Sequence, residues 1–265
     1  MISVIIPSYN SRKYLLEAID SVLKINDFEL EVIVVNDGSI FELTLDLYKK
    51  ISDPRVTIIH QSNMGLASAR NNGVSLSKGE YILFLDDDNL IRRNYFEYSI
   101  NAFEMDQKIG IVYGLPHFFG ATSDTPRFKT IPYSFDALLA GNYIDACVFI
   151  RRSAFEEVGG FHVHPDLAGW EDADLWLRLS QTQWKFHFLN QVVFDYRVRE
   201  DSMMGVVDQE RRERMLQYFG AKYGYLYHKK YRQYFRVLDN IQKNPFSYFL
   251  RILYYKYILR KPFIK

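Results

Sequence analysis

Cysteine is almost absent from the 265-residue chain, with Cys147 its only example. An internal disulfide is thereby excluded, and a thiolate-rich metal site has no second Cys to build on. A reducing cytoplasm suits such a chain. Long apolar runs are also missing, since none reaches the roughly 18–20 uninterrupted residues that a membrane span requires. Met1–Asn10 is a short apolar run without a basic leader or a small-residue cleavage pattern, so it reads as a buried strand rather than a signal peptide. A soluble or peripherally attached protein is the expectation. Neither phosphate-binding glycine fingerprint occurs, which removes the P-loop and dinucleotide-binding readings. No internal repeat is visible.

What is present is ordinary globular material, 48% hydrophobic and 25% charged, with an unusually high 16% aromatic content. The length allows one sizeable core with an appendage, or two small domains. A net charge of +1 conceals an asymmetry: residues 211–265 hold 14 Lys and Arg against two acids, Glu213 and Asp239. The first 210 residues are therefore acidic, at −11. An acidic body with a basic tail is expected.

Through the first half, short β-branched runs alternate with segments of helical period. Ile2–Ile6, Glu31–Val35, Val56–Ile59 and Tyr81–Leu85 read as strands. Arg12–Ile25, with Ser11 available as its cap, and Leu43–Ile51 and Leu66–Leu76 read as helices. Such alternation implies crossovers and a mainly parallel α/β sheet with helices on both faces. Later, His117–Tyr133 reads as a loop, Ala146–Arg151 as a strand, Glu171–Gln181 as a helix, and Trp184–Leu189 and Val192–Val198 as two further strands. From Gln209 onward mainly helix is expected.

Polar residues cluster just past the strand ends: "PSYN", "NDGS", "HQSN" and "DDDN". The crevice beyond the carboxyl ends of strands is where open α/β sheets bind ligands. Asp86, Asp87 and Asp88 repel one another, and alternate side chains at a strand end can converge on one hard divalent cation. A solvated turn capping the next helix is the alternative, and the three neighbouring polar ends weigh against it. Asp37 follows a buried strand beside Gly38, either as an ordinary turn pair or as an acceptor for a base imide. Arg70 lies on a helical segment, suited to phosphate or merely to a solvated face. Glu171, Asp172 and Asp174 open a helix, where acids cap; with Gly169 and Trp170 before them they also suit a general base beside a flat sugar-binding surface.

The ordered set "SVIIPSYN", "VIVVNDGS", "NMGLASARNNG", "YILFLDDDN", "RRSAFEEVGGF" and "GWEDADLWLRL", across about residues 3–180, resembles the family 2 glycosyltransferases of the GT-A fold. The resemblance implies a GT-A catalytic domain over residues 1–208, with a nucleotide-binding half at 1–110 and an acceptor-binding half at 111–208. A basic, aromatic-rich helical extension would follow at 209–265. It implies an inverting enzyme that uses a nucleotide-diphospho-sugar, a UDP-sugar first among these, with Mn²⁺ or Mg²⁺. Pro7 and Tyr9 would frame base and ribose, Asp37 would hold the imide edge, and Asn63 and Arg70 would line the nucleotide pocket. Asp86 and Asp87 would lie near ribose and phosphate, and Asp88 would be the principal metal ligand. Asp172 would be the catalytic base, Glu171 its neighbour at the acceptor, and Trp170 part of the acceptor surface.

One position departs from that pattern. After "YRV" at Tyr196–Val198 many relatives place a His able to reach metal or diphosphate, whereas this chain has Arg199, which can pair with phosphate but not ligate a metal. His162 and His164 read as surface residues and Cys147 as a small core residue.

The implied partners are the sugar donor and a saccharide or lipid-linked saccharide acceptor in cell-surface polysaccharide synthesis. Residues 244–265, opened by Asn244 and Pro245, read either as an interfacial helix on an anionic membrane or as a helix packed on the body or on a second copy in a homodimer. A cytoplasmic protein, free or on the cytoplasmic membrane face, is expected. The acidic body argues against nucleic acid. Two other readings are a sugar-1-phosphate nucleotidyltransferase, for which a Gly-rich basic loop after the first strand is missing, and a non-catalytic nucleotide-sugar-binding protein, against which the Glu171–Asp172 pair stands.

Overall fold

The computed structural model describes residues 1–11, 14–121, 128–199 and 209–260, with Leu43 described by its backbone only. Two compact units result, Met1–Met215 and Leu216–Lys265.

In the first unit one mixed sheet is ordered β3-β2-β1-β4-β7-β6-β8-β5. Its strands are β1 Ile2–Ser8, β2 Leu30–Asp37, β3 Val56–Gln61, β4 Tyr81–Phe84, β5 Leu90–Ile91, β6 Ile109–Gly120, β7 Phe149–Arg151 and β8 Lys185–Val198. β1, β2, β3 and β4 pair in parallel, so their carboxyl ends share one edge. Every residue of β1 is buried, as a parallel strand covered on both faces must be. The connecting helices are α1 Tyr14–Leu23, α2 Glu42–Lys49 and α3 Leu66–Leu76. α3 lies so close to the sheet that a Cβ on Gly73 would stand 2.5 Å from the Ile5 side chain.

The remaining elements of this unit are α4 Arg93–Met105, α5 Phe135–Ala140, α6 Arg152–Glu157 and α7 Glu171–Leu179, with a 3₁₀ turn at Pro165–Leu167. Tyr95, Phe96 and Phe149 pack edge to face in the core, with ring centroids about 5 Å apart. The Tyr95 hydroxyl donates to a backbone carbonyl there, so the buried phenol is satisfied.

The second half departs from the expected outline. His117–Gly120 is not loop but the end of β6, paired with Asp195–Val198 of β8. Just before this stretch, Pro116 coincides with a register shift, where a residue without an N–H is tolerated. The two strands expected at Trp184–Leu189 and Val192–Val198 are one, with Asn190 and Gln191 taken up by another shift. α5, α6 and β5 were not anticipated. Ser11, expected to cap α1, instead directs its hydroxyl to Ser8 and Asp87; residues 12 and 13 of that expected helix, and 122–127 of the expected loop, lie outside the described residues.

The second unit holds the remainder of α8 Gln209–Lys243, then α9 Pro245–Leu253 and a π-helical turn, Tyr254–Ile258. Asn244 occupies the cap position of α9 and Pro245 its first turn, but the Asn244 side chain makes no capping bond. No helix among the described residues is long and apolar enough to cross a membrane.

Candidate active site

The polar ends of β1 to β4 are tied to one another before any ligand is considered. The Asn10 carboxamide oxygen accepts from the Ile40 and Phe41 amides, and Ser8 bonds both Ser11 and Tyr48. Asp37, buried at the end of β2, accepts from Gln61 and from the Met64 and Gly65 amides at 2.7, 2.8 and 2.9 Å. Three of its acceptor positions thus hold the loop that leads into α3. Gly38 (φ +75°) lets this turn approach: a Cβ there would lie 2.6 Å from the Asn63 backbone nitrogen.

Asp86, Asp87 and Asp88 follow β4 and occupy different environments. Asp86 is paired with Arg70 at 2.8 Å. Asp87 accepts from Ser11, and burial, with added repulsion from Asp88 and Asp86, pushes its carboxyl up to about 7. Asp88 faces Arg199 at 3.3 Å; burial and then repulsion from Asp86 outweigh that cation and raise it to about 6. Its backbone carbonyl accepts from Arg197, which also reaches Glu17.

Arg70 is only 2% exposed. One arm of its guanidinium meets Asp86 and the other meets Glu171 at 2.9 Å, while Phe161 packs against the group at 5.3 Å. Its Nε is buried without a partner. Rather than facing only a nucleotide, Arg70 joins the end of β4 to the start of α7, 101 residues away in sequence.

At α7 the acids divide. Asp174 is fully buried and paired with Arg178 at 2.8 Å, a structural use. Glu171 accepts from the Gly169 amide. Asp172 accepts from its neighbour Ala173 at one oxygen and from the Asn142 side chain, 2.8 Å away, at the other. The Asn142 carbonyl oxygen is held by the Ile144 amide, so its amide nitrogen is the end that faces Asp172. Burial first, and the Glu171 charge second, push the Asp172 carboxyl well above the usual carboxylate range; Arg70 opposes this. Asp145 is likewise raised by burial and by Asp86.

Asn142, Asp145 and Arg197 were not singled out in the sequence, and Ser11 was singled out only as a helix cap. Asn142 and Asp145 precede the short β7 without a recognisable spacing, and only the fold brings them to α7. Among the other expected residues, Pro7 is buried within β1 opposite Val35, Tyr9 and Asn63 are exposed, and Trp170 is half-buried at the residue before α7. His164 accepts from the Asp166 amide. No group of three or more His, Cys, Asp or Glu side chains among the described residues is arranged to hold a metal by itself.

The Glycosyl transferase family 2 profile matches residues 3–159. An uncharacterized glycosyltransferase of Rickettsia felis is 28% identical over 211 residues, 76% of this chain and 35% of that protein. Chondroitin synthase of Pasteurella multocida is 37% identical over 115 residues, 43% of this chain and 12% of the synthase. In structure, S. aureus TarS 1-349 in complex with UDP-GlcNAc superposes with a TM-score of 0.65 at 18% identity, covering 81% of this chain and 64% of that one. That likeness shows the fold, a GT-A arrangement of a mainly parallel sheet and helices. The chain spans about a third of the Rickettsia relative's length and about an eighth of the synthase's. With the profile covering more than half of its residues, from β1 through α6, the chain belongs to glycosyl transferase family 2.

Proposed function

We propose that the chain transfers a sugar from a nucleotide-diphospho-sugar, a UDP-sugar, to a hydroxyl of a saccharide or lipid-linked saccharide, with inversion, in cell-surface polysaccharide synthesis. The observation that carries this reading is the Arg70 bridge, which sets the strand-end acids Asp86–Asp88 beside Glu171 and Asp172. Family membership, the UDP-GlcNAc bound by TarS and the activity named for the Pasteurella synthase support it.

The donor's place is the edge formed by β1 to β4. Pro7 and Tyr9 frame the base and ribose. Asp37 has one carboxylate position left to accept an imide N–H, and a base lacking that donor leaves it unmet. Asn63 borders this side, and Asp86 and Asp87 meet ribose and phosphate.

A divalent cation, Mg²⁺ or Mn²⁺, fits the acids present. They are hard oxygen donors, buried and crowded enough that Asp87 and Asp88 resist ionisation without a further positive charge. Asp88 would hold the ion, with Asp86 and Asp87 beside it and the donor phosphates completing its shell. When bound, the ion supplies charge neutralisation for the departing diphosphate.

Asp172 takes the proton of the acceptor hydroxyl as that oxygen attacks the anomeric carbon from the face opposite the nucleotide. Burial raises its proton affinity toward what a base working near neutral pH needs. Asn142 and the Ala173 amide fix its two oxygens. Glu171, held by Arg70 and Gly169, sets the acceptor side without competing for the proton. Trp170 offers the sugar a flat surface, and Arg199 pairs with the diphosphate.

Thermal-shift titration of nucleotide-sugars with and without Mn²⁺ tests the donor assignment. UDP-sugars are expected to stabilise the protein only with the cation, and Asp88→Ala to abolish the dependence. A panel in which no nucleotide-sugar stabilises the protein under any metal condition refutes it.

A further inference from the structure

The second unit combines charge of one sign with an uncovered apolar helix. Residues 216–265 hold eleven Lys and Arg and a single acid, Asp239. No residue of α9 is buried. Phe246, Phe249, Leu250 and Leu253 fall at i, i+3, i+4 and i+7, one stripe of a 3.6-residue period. Phe246 is 72% and Phe249 55% exposed. Beyond α9, Tyr257 and Ile258 are 64% and 68% exposed. Leaving this much aromatic and aliphatic surface in water forfeits its burial energy, which marks a contact surface rather than a solvated one.

The charges choose the occupant. Arg251, Lys256 and Arg260 interrupt the apolar residues and are themselves exposed. Two copies meeting through this face would bring two strongly basic segments together, which is unfavourable. A surface of anionic lipid headgroups answers both features: the rings and aliphatic side chains enter the headgroup–acyl boundary, while the long basic side chains keep their charges at phosphate level. Tyr248, Tyr254, Tyr255 and Tyr257 supply amphipathic rings of the kind enriched at that boundary.

We infer that α9 and the turn after it form an in-plane docking helix for anionic membranes, seated through Phe246, Phe249, Leu250 and Leu253 and held by Arg251, Lys256 and Arg260. The inference rests on the second unit alone and stands independently of the sugar-transfer reading.

Co-sedimentation of the full chain with vesicles tests it. Binding to equimolar phosphatidylglycerol–phosphatidylcholine vesicles should exceed binding to phosphatidylcholine vesicles by about tenfold or more, and fall as salt is raised. Combined Phe246→Ser, Phe249→Ser and Leu250→Ser should lower binding by about tenfold or more, with nucleotide-sugar thermal shifts unchanged. Combined Arg251→Gln and Lys256→Gln should remove the preference for anionic vesicles. In Phe249→Trp, the new indole's emission should move to the blue on vesicle addition. Equal binding to both vesicle types, no blue shift, or full binding by the apolar variant would each overturn the inference. So would self-association that the apolar variant abolishes while neither protein sediments with vesicles, since that result gives the face to a second copy.

Discussion

The guanidinium of Arg70, on α3, donates to Glu171 at 2.9 Å from a position only 2% exposed, binding the first turn of α7 to α3. The other arm holds Asp86, so one cation serves both halves of the site. Removing it strands the buried Glu171 without its cation and takes the Arg70 pairing from the half-buried Asp86. Arg70→Ala should destabilise the fold by about 3–5 kcal/mol, measured by urea denaturation. Arg70→Lys keeps the charge but not the fork, and should recover part of the stability while leaving sugar transfer impaired. Arg70→Ala with wild-type stability would mean the bridge contributes nothing.

Asn142 offers a sharper test because it meets Asp172 without belonging to the proposed donor side. Its amide nitrogen favours the ionised carboxylate. Asn142→Ala should lower kcat about tenfold, the scale of one lost hydrogen bond to a charged group, and leave the donor KM unchanged. The rising limb of the pH–rate profile should move to higher pH, because burial and the charges of Glu171 and Asp145, opposed by Arg70, then act on Asp172 without that donor. A fall in rate with an unmoved limb would assign Asn142 a purely structural part.

Neither prediction was accessible from sequence alone. The β1–β4 half was legible because each buried strand announces itself by an apolar run, and each crossover by its helical period. The site residues on that half, Asp37 and Asp86–Asp88, lie at or just past the ends of those strands. The second half was not. The Pro, Thr and Ser residues within His117–Tyr133 resemble loop, and only the pairing of β6 with β8 shows the chain continuing as strand to Gly120. Asn142 and Asp145 lie in a short connection whose local sequence has no period to read. Arg70 was visible as a candidate, but its partner Glu171 is 101 residues away, a distance that no local pattern spans.

The crowded acids make stability depend on pH in a stated direction. Asp87, Asp88, Asp145 and Asp172 all have folded-state proton affinities above their unfolded values. Below about pH 4 both states are protonated and nothing is lost. Above that the unfolded chain ionises first, so it binds fewer protons than the folded one and stability falls with rising pH, until about 6 for Asp88 and about 7 for Asp87. Other groups titrate in the same window, so the test is a difference. Asp87→Asn should gain stability over wild type at pH 8 and none at pH 4, followed by thermal denaturation without divalent cations. An equal effect at both pH values would contradict the direction assigned to Asp87.

Packing of α3 on the sheet sets the position of Arg70. Gly73→Ala places a methyl 2.5 Å from the Ile5 side chain and 3.1 Å from that of Val35. It should cost about 1–3 kcal/mol by overpacking, read from denaturation midpoints, and weaken donor binding by shifting α3. An unchanged midpoint would show that the sheet yields there.

In the proposed reaction Asp172 removes the acceptor proton while other residues hold the donor. The most direct test compares UDP-sugar binding and sugar transfer in wild type and Asp172→Asn, with Mn²⁺ present and the donor found by thermal shift. Donor binding should be unchanged and transfer should fall about 10²–10⁴-fold, the contribution of a positioned general base. Undiminished transfer by Asp172→Asn would contradict that role.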